Sequence, residues 1–367
     1  MNDSSDALYL GLISGTSMDG VDAALVRRRG AGVELLAARN TPYPSRLNHE
    51  LLNAASGQGS CETLGVLDVA VGDVFAHAAA SVLEAAGVDA GTVTAIGSHG
   101  QTLLHRPERG FSLQIGDPAR IALATGITTV ADFRRADLAA GGEGAPLAPV
   151  FHRAVFAQGD ETRAVLNLGG ISNLTLLQPG APVLAFDVGP ANTLSDALLR
   201  DTRGEAFDRD GALAAAGRVD PALLEALLAD PWFERPPPKS TGPELFNLAW
   251  VRRRAPADLP GSADLAATFA ELLAASVQRA LQGLGTEPAR LYCCGGGVHN
   301  PELMRRLAAA LPGTTVATTA DLGVDPDWVE AMCFAWLAGE TLAGRPGNLP
   351  SVTGARQAVV LGSVHRP

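Results

Sequence analysis

A chain of 367 residues exceeds what one hydrophobic core usually organises, so two domains of ordinary size are expected, with a cleft between them. Hydrophobic residues at 47 % against 18 % charged residues exclude general disorder. The formal net charge of −11 disfavours non-specific attachment to nucleic acid or to an anionic membrane surface.

Residues 1–6 are polar and acidic, unlike a secretory signal. No run approaches the roughly twenty uninterrupted apolar residues of a spanning helix. Cys61, Cys293, Cys294 and Cys333 form no C-x-x-C pair of the zinc or redox kind. Together these features predict a cytoplasmic protein. Apolar runs at 8–14 and 21–28 flank the turn Gly15-Thr16-Ser17-Met18-Asp19-Gly20 and predict a β-hairpin. A third strand is expected near 33–37. Helical spacing over 63–86 stops at Gly87, a favourable C-cap. Short apolar runs at 93–98 and 111–115 end in His99-Gly100-Gln101 and Gly116-Asp117-Pro118, polar loops of the kind that gather ligands at strand ends.

Residues 133–149 are glycine-rich and aperiodic and read as an inter-domain connection. Beyond them, runs at 164–168 and 174–177 flank Gly169-Gly170-Ile171-Ser172-Asn173, a second glycine-turn hairpin that repeats the plan of the first. Helical patterns follow at 221–229, 263–284, 301–311 and 326–342, with a strand at 290–294. Asp325-Pro326 predicts the start of the last helix.

Glycine turns let backbone N–H groups converge on a phosphate while adopting positive φ, and Gly15 and Gly20 are expected to supply that freedom. No Gly-Lys-Ser/Thr follows, so this is not a Walker A loop, and a turn that merely closes a hairpin is the alternative. Asp19 and Asp22 sit where phosphate would be repelled unless Mg2+ lay between, directly or through its waters; otherwise Asp19 is a turn former. Asp187 ends an apolar strand ahead of a turn, as a general base facing a cleft would, or as an N-cap or Asx-turn acid. Gly295, Gly296 and Gly297, followed by Asn300, end a strand and open a helix, offering bare backbone to a nucleoside or forming a plain strand-to-helix loop. Glu330 shares a helical face with Phe334 and Leu337, so it is either a buried acid with a task or a carboxylate answering the helix dipole. His99, Arg134, Asp137 and Lys239 are individually ambiguous.

The ordered motifs Ser14-Gly15-Thr16-Ser17-Met18-Asp19-Gly20-Val21-Asp22, Ser98-His99-Gly100-Gln101-Thr102, Asp132-Phe133-Arg134, Gly144-Ala145-Pro146-Leu147, Leu168-Gly169-Gly170-Ile171-Ser172-Asn173, Asp187-Val188-Gly189-Pro190, Pro238-Lys239-Ser240-Thr241-Gly242 and Gly295-Gly296-Gly297 span nearly the whole chain. In this pattern the chain resembles the anhydro-N-acetylmuramic acid kinase family, within the sugar kinase, heat-shock ATPase and actin superfamily. The resemblance implies a cytoplasmic enzyme of peptidoglycan recycling that turns 1,6-anhydro-N-acetylmuramic acid, ATP and water into N-acetylmuramic acid 6-phosphate and ADP. It implies an α/β, two-domain actin-like ATPase (ribonuclease H-like) fold with an inter-domain active-site cleft. Gly15, Thr16, Ser17, Met18, Asp19, Gly20, Val21 and Asp22 would hold ATP phosphates with Mg2+, Gly169 and Gly170 would form the opposite turn, and Gly295, Gly296, Gly297 and Asn300 would take the adenosine. Asp187 would be the base that deprotonates the attacking water. His99, Gly100, Gln101, Arg134, Asp137 and Glu330 would line the sugar pocket, with Arg134 pairing the lactyl carboxylate. Glu143, Val188 and Pro243 depart from the residues expected there, which are glutamine, threonine and a basic residue.

Residues 1–132 with 350–367 are expected as one domain and 133–349 as the other, a strand at 358–362 returning to the first. The resemblance also implies a homodimer, without an interface signature in the sequence. Three alternatives stay open: a kinase for another sugar, a nucleotide-gated chaperone or filament protein, and a glycoside hydrolase using Asp187 and Glu330 without ATP.

Overall fold

A computed structural model of the chain describes residues 6–15, 17–30 and 32–367. The chain forms two compact units, one running to Val155 and resuming over Gly323–Pro367, the other Phe156–Leu322. The breaks expected at 132/133 and 349/350 therefore shift to 155/156 and 322/323. The reason is local packing. The helix Val329–Leu342 lies on the first sheet, and residues 137–144 are tied to residues 348–356.

In the first unit, strands β1 (Ala7–Ser14), β2 (Gly20–Arg29) and β3 (Gly32–Pro42) form an antiparallel meander. Strand β4 (Val93–Arg106) runs parallel to β1, and β5 (Phe111–Ile115) folds back on it. Strand β6 (Thr129–Ala131) then runs parallel to β4. In the second unit, β7 (Arg163–Leu168), β8 (Ile171–Leu177) and β9 (Leu184–Pro190) repeat the antiparallel meander. Strands β10 (Arg290–Cys294) and β11 (Thr315–Thr318) add in parallel beside β7. Both sheets thus carry their strands in the order third, second, first, fourth, fifth, β5 being an extra arm on β4. That order is the ribonuclease H-like plan, present twice, and the α/β actin-like ATPase fold is the fold of this chain.

Within the returning segment, β12 (Ser363–His365) pairs antiparallel with β6 at the edge of the first sheet. The expected strand at 358–362 is not extended, because Leu361 turns into the core and Gly362 adopts φ 85° beside Val130. Residues 133–149 are not a linker. They include the helix Arg135–Ala139 and belong to the first unit. The last long helix begins at Val329, not at Pro326, since the Asp325 carboxylate accepts from Asp327 N in a turn ahead of it.

The helix Val329–Leu342 approaches the sheet at backbone contact. A Cβ on Gly11 of β1 would fall on the Ala331 carbonyl oxygen, and one on Gly97 of β4 on that of Phe334. The helix Cys61–Ala86 opens on a Ser60–Thr63 capping box and stops at Gly87, φ 63°. By length and composition it could cross a membrane, although Asp68 and Asp73 interrupt it. Half of its apolar stretch is buried, with Leu67, Val71, Phe75 and Val82 inside the first core.

Candidate active site

Thr16 lies outside the described residues of the first turn. Among the others, positive φ falls not on Gly15 or Gly20 but on Met18, at 54°. The buried Met18 side chain and a 2.6 Å bond from Asn48 Nδ2 to its carbonyl hold that conformation. Gly20 is required for close approach instead, since a Cβ would lie 2.7 Å from the Thr41 carbonyl oxygen. Val21 is wholly buried, and its side chain packs in the first core. Ser17 Oγ donates to Asp19 Oδ1 at 2.8 Å, and Asn40 Nδ2 to Asp22 Oδ1 at 2.8 Å. Burial raises the Asp22 pKa; the Asn40 bond opposes this, and the charges of Asp19 and Asp327 add to it. Among the described residues no group of three or more His, Cys, Asp or Glu could hold a metal. Asp19 and Asp22 offer the one or two carboxylates that Mg2+ commonly takes beside its waters.

The residues assigned to the sugar divide. His99 is buried, and its Nδ1 lies 2.9 Å from the Gly100 carbonyl oxygen while Nε2 faces Arg134 Nε and Nη2 at 3.0 and 2.8 Å. A carbonyl on one side and a cationic donor on the other make this a neutral ring with its proton on Nδ1. Burial and the Arg134 charge hold the His99 pKa well below 6.5. Arg134 Nη1 donates to the Gly144 carbonyl at 2.8 Å. Burial brings its guanidinium down to about 10, against the opposing charge of Glu330. Glu330 is exposed to solvent yet crowded by protein, and its pKa is raised by desolvation and by Asp22, with Arg134 opposing. His99, Arg134 and Glu330 thus form one electrostatic group.

Gly100, Gln101 and Asp137 stand apart from it. Gly100 has φ 76° and lets β5 pass close by, a Cβ there lying 2.6 Å from the Ile115 carbonyl. Gln101 is fully buried; it accepts from Ser14 Oγ at 2.6 Å and donates to the Gly15 and Thr102 carbonyls at 3.2 Å. Its amide braces the first turn. Asp137 is also fully buried, with Oδ2 taken by Gly144 N at 2.7 Å and Oδ1 by Asn348 Nδ2 and Thr353 Oγ1 at 2.6 and 2.7 Å. It staples the loop 141–144 to the C-terminal segment. Asp137→Ala is expected to lower stability by about 2 kcal/mol through the stranded donors, as read from the urea midpoint. An unchanged midpoint would remove the staple.

In the second unit the turn Gly169-Gly170 joins β7 to β8. Its carbonyls are drawn onto the next helix start, Gly170 accepting from Ala191 N and Thr193 N, and Gly169 from Asn192 N and Nδ2 at 3.1 and 2.9 Å. Neither glycine has positive φ. Gly295 does, at 79°; Gly296 is open, and Gly297 packs where a Cβ would lie 2.6 Å from Leu168 Cβ. Asn300 is the N-cap of the helix Pro301–Ala310, its Oδ1 accepting from Glu302 N and Leu303 N at 3.1 Å. That oxygen is committed to the helix, and the residue still borders a cavity.

The cavity, of about 570 Å³, is lined by Asn192, Asp196, Phe207, Arg209, Gly296 and His299 among others. It is of nucleoside size. Asn192, Asp196, Phe207 and Arg209 were not predicted. Asn192 follows the strand-end Gly-Pro-Ala and could have been found as a helix start, whereas Phe207 and Arg209 lie in aperiodic chain with no local signal. Burial raises the Asp196 pKa to about 6.

Asp187 lies half-buried on β9. Its N–H donates to the Lys239 carbonyl at 3.0 Å, and Oδ2 accepts from Thr241 N at 2.8 Å. Burial raises its pKa to about 6, Thr241 N–H opposing, Glu244 adding, Lys239 opposing. It is not an N-cap, since the helix Asn192–Arg203 starts past Ala191. Of the three departures, Val188 fills the second core, and Glu143 and Pro243 are exposed.

Two ribonuclease H-like sheets, each with a turn between its first two strands, and a near-neutral carboxylate on the second sheet define a protein of the actin-like ATPase fold class. The family model described as anhydro-N-acetylmuramic acid kinase matches residues 7–367. The chain belongs to that family and is a kinase. A relative of that name from Xanthomonas oryzae pv. oryzae is 54 % identical over 370 residues, covering 98 % of this chain and 97 % of the relative. Others come from Xylella fastidiosa, 51 % identical with 98 and 96 % covered, and Pseudomonas fluorescens, 48 % identical with 98 and 99 % covered.

Proposed function

We propose that the chain takes 1,6-anhydro-N-acetylmuramic acid, ATP and water to N-acetylmuramic acid 6-phosphate and ADP, in the cytoplasm, as a step of peptidoglycan recycling. The observation that carries the reading is Asp187, a strand-borne carboxylate brought to about 6 and held by Thr241 N–H. At neutral pH it is ionised and still basic enough to take a proton from water. Attack of that water on the anomeric carbon breaks the bond to O6, and O6 accepts the γ-phosphoryl group. Arg134, tied to His99, suits the substrate carboxylate. Glu330, beside it electrostatically, suits a sugar hydroxyl.

ATP would draw on the turn holding Ser17 and Met18, on Gly169 and Gly170, and on the cavity beside Gly296. Asp19 and Asp22 fit Mg2+, because Asp22 stands among like charges that a cation relieves. Bound there, the ion would screen the phosphates from these carboxylates. The resemblance also supports a homodimer, which light scattering tests.

The deciding experiment incubates enzyme, anhydro sugar and ATP in oxygen-18 water. Label at the anomeric hydroxyl of a phosphorylated product is expected. Product formed without ATP would favour a hydrolase, and label carried in the phosphate would overturn the mechanism.

A further inference from the structure

Lysine and arginine together number 28, and Lys239 is the one lysine, so the other 27 basic residues (28 − 1) are arginine. A sequence that otherwise uses arginine throughout keeps here the compact, deprotonatable point charge. The residue is only 8 % exposed. Its Nζ donates to the Phe233 and Trp232 carbonyls at 3.1 and 3.4 Å and lies 4.3 Å from the Trp232 ring centroid. Trp232 and Phe233 are themselves packed against Phe246, with centroids 5.1 and 5.6 Å away, and Phe246 against Trp250 at 4.9 Å. The ammonium has no carboxylate within ion-pair distance among the described residues. A buried charge left unpaired is costly, so its position calls for a reason.

The backbone supplies one. Asp187 N–H reaches the Lys239 carbonyl at 3.0 Å, and Thr241 N–H returns to Asp187 Oδ2 at 2.8 Å, so residues 239–241 bracket the carboxylate. Resting on the reading of Asp187 as the base, we infer that Lys239 is a positioning residue: its ammonium moors the segment 239–241 to the aromatic cluster, so that Thr241 N–H stays on the Asp187 carboxylate, and its positive charge favours the ionised form. The charged groups that act on Asp187 are Glu244, which raises its pKa, and Lys239, which lowers it. Lys239 in turn feels burial and Arg235, both lowering its pKa, against Asp187. An arginine here would have to fit a planar fork where a single ammonium meets two carbonyls and a ring.

The test compares kcat against pH for the full-length parent, Lys239→Met and Lys239→Arg. In Lys239→Met the acidic limb should move upward by about half a pH unit or more and kcat should fall roughly tenfold, with KM for ATP within about twofold. Lys239→Arg should return the limb toward its parental position by restoring the charge. A Lys239→Met limb that coincides with the parent overturns the inference. Should that variant fail to unfold cooperatively, the single lysine gives a second readout. With labelled lysine the parent should show one side-chain NMR signal that titrates near pH 6, and the inflection should vanish in Asp187→Asn. An inflection that persists there, or is absent from the parent, overturns the inference. Normal turnover by Asp187→Asn would instead remove the base reading, so the two failures are distinct.

Discussion

Asp187→Asn is expected to lower kcat by roughly 10²–10⁴ with KM for ATP nearly unchanged. The amide keeps the shape of the carboxylate and can still accept from Thr241 N, but it cannot take a proton from water. In the parent, kcat should fall as pH drops through about 6, where the carboxylate protonates. The same residue makes a prediction of opposite sign for stability. Its folded pKa lies above the ordinary 3.8, so the fold favours the protonated form; that contribution is complete below about pH 4 and is lost as pH rises through about 6. Ionised Asp187 therefore costs the folded state about 3 kcal/mol at pH 7. A neutral asparagine avoids this, and Asp187→Asn should unfold at higher urea than the parent at pH 7.5, the gap closing near pH 4. Full turnover would sink the base, and a lower urea midpoint at pH 7.5 would sink the account of its burial.

Gly11→Val should be the most damaging single change to the first unit, by more than ~3 kcal/mol. Its side chain would meet the Ala331 carbonyl and the Ala335 nitrogen, which are backbone atoms of a helix and cannot rotate away. Gly97→Val repeats the conflict at Phe334. Separating helix from sheet would also displace Glu330, which sits in the first turn of that helix. Urea unfolding followed by circular dichroism reads the loss, and a midpoint within error of the parent would exclude close backbone packing there.

The two hairpins and the longer strands were legible in the sequence, because apolar runs bounded by glycine turns specify them locally, whereas the short strands Thr129–Ala131, Thr315–Thr318 and Ser363–His365 were not. The capped end of the helix Cys61–Ala86 was legible because apolar residues at helical spacing stop at Gly87. Asp187, which lies within β9, and the loop Gly295-Gly296-Gly297, which follows β10, were singled out from motif order and family resemblance. Neither source distinguishes a residue that faces a ligand from one that faces the fold. Gln101 and Asp137 belong to the family motif region, yet each, besides a nearer bond, reaches partners 86 to 216 positions away. Nothing within a few residues of either announces those partners.

The first glycine turn was predicted correctly in place and incorrectly in conformation. Glycine permits positive φ, but whether it uses it depends on what holds the neighbouring residues, and here Asn48 and the core hold Met18. Strand alternation, hairpins, helix caps and family membership were written in the amino-acid order, since they depend on near neighbours or on motifs that persist along the chain. The unit boundaries, the stapling role of Asp137, the pairing of His99 with Arg134 and the mooring of Lys239 were decided only on folding. They depend on burial and on hydrogen bonds between distant segments, and those quantities exist only once the chain has packed.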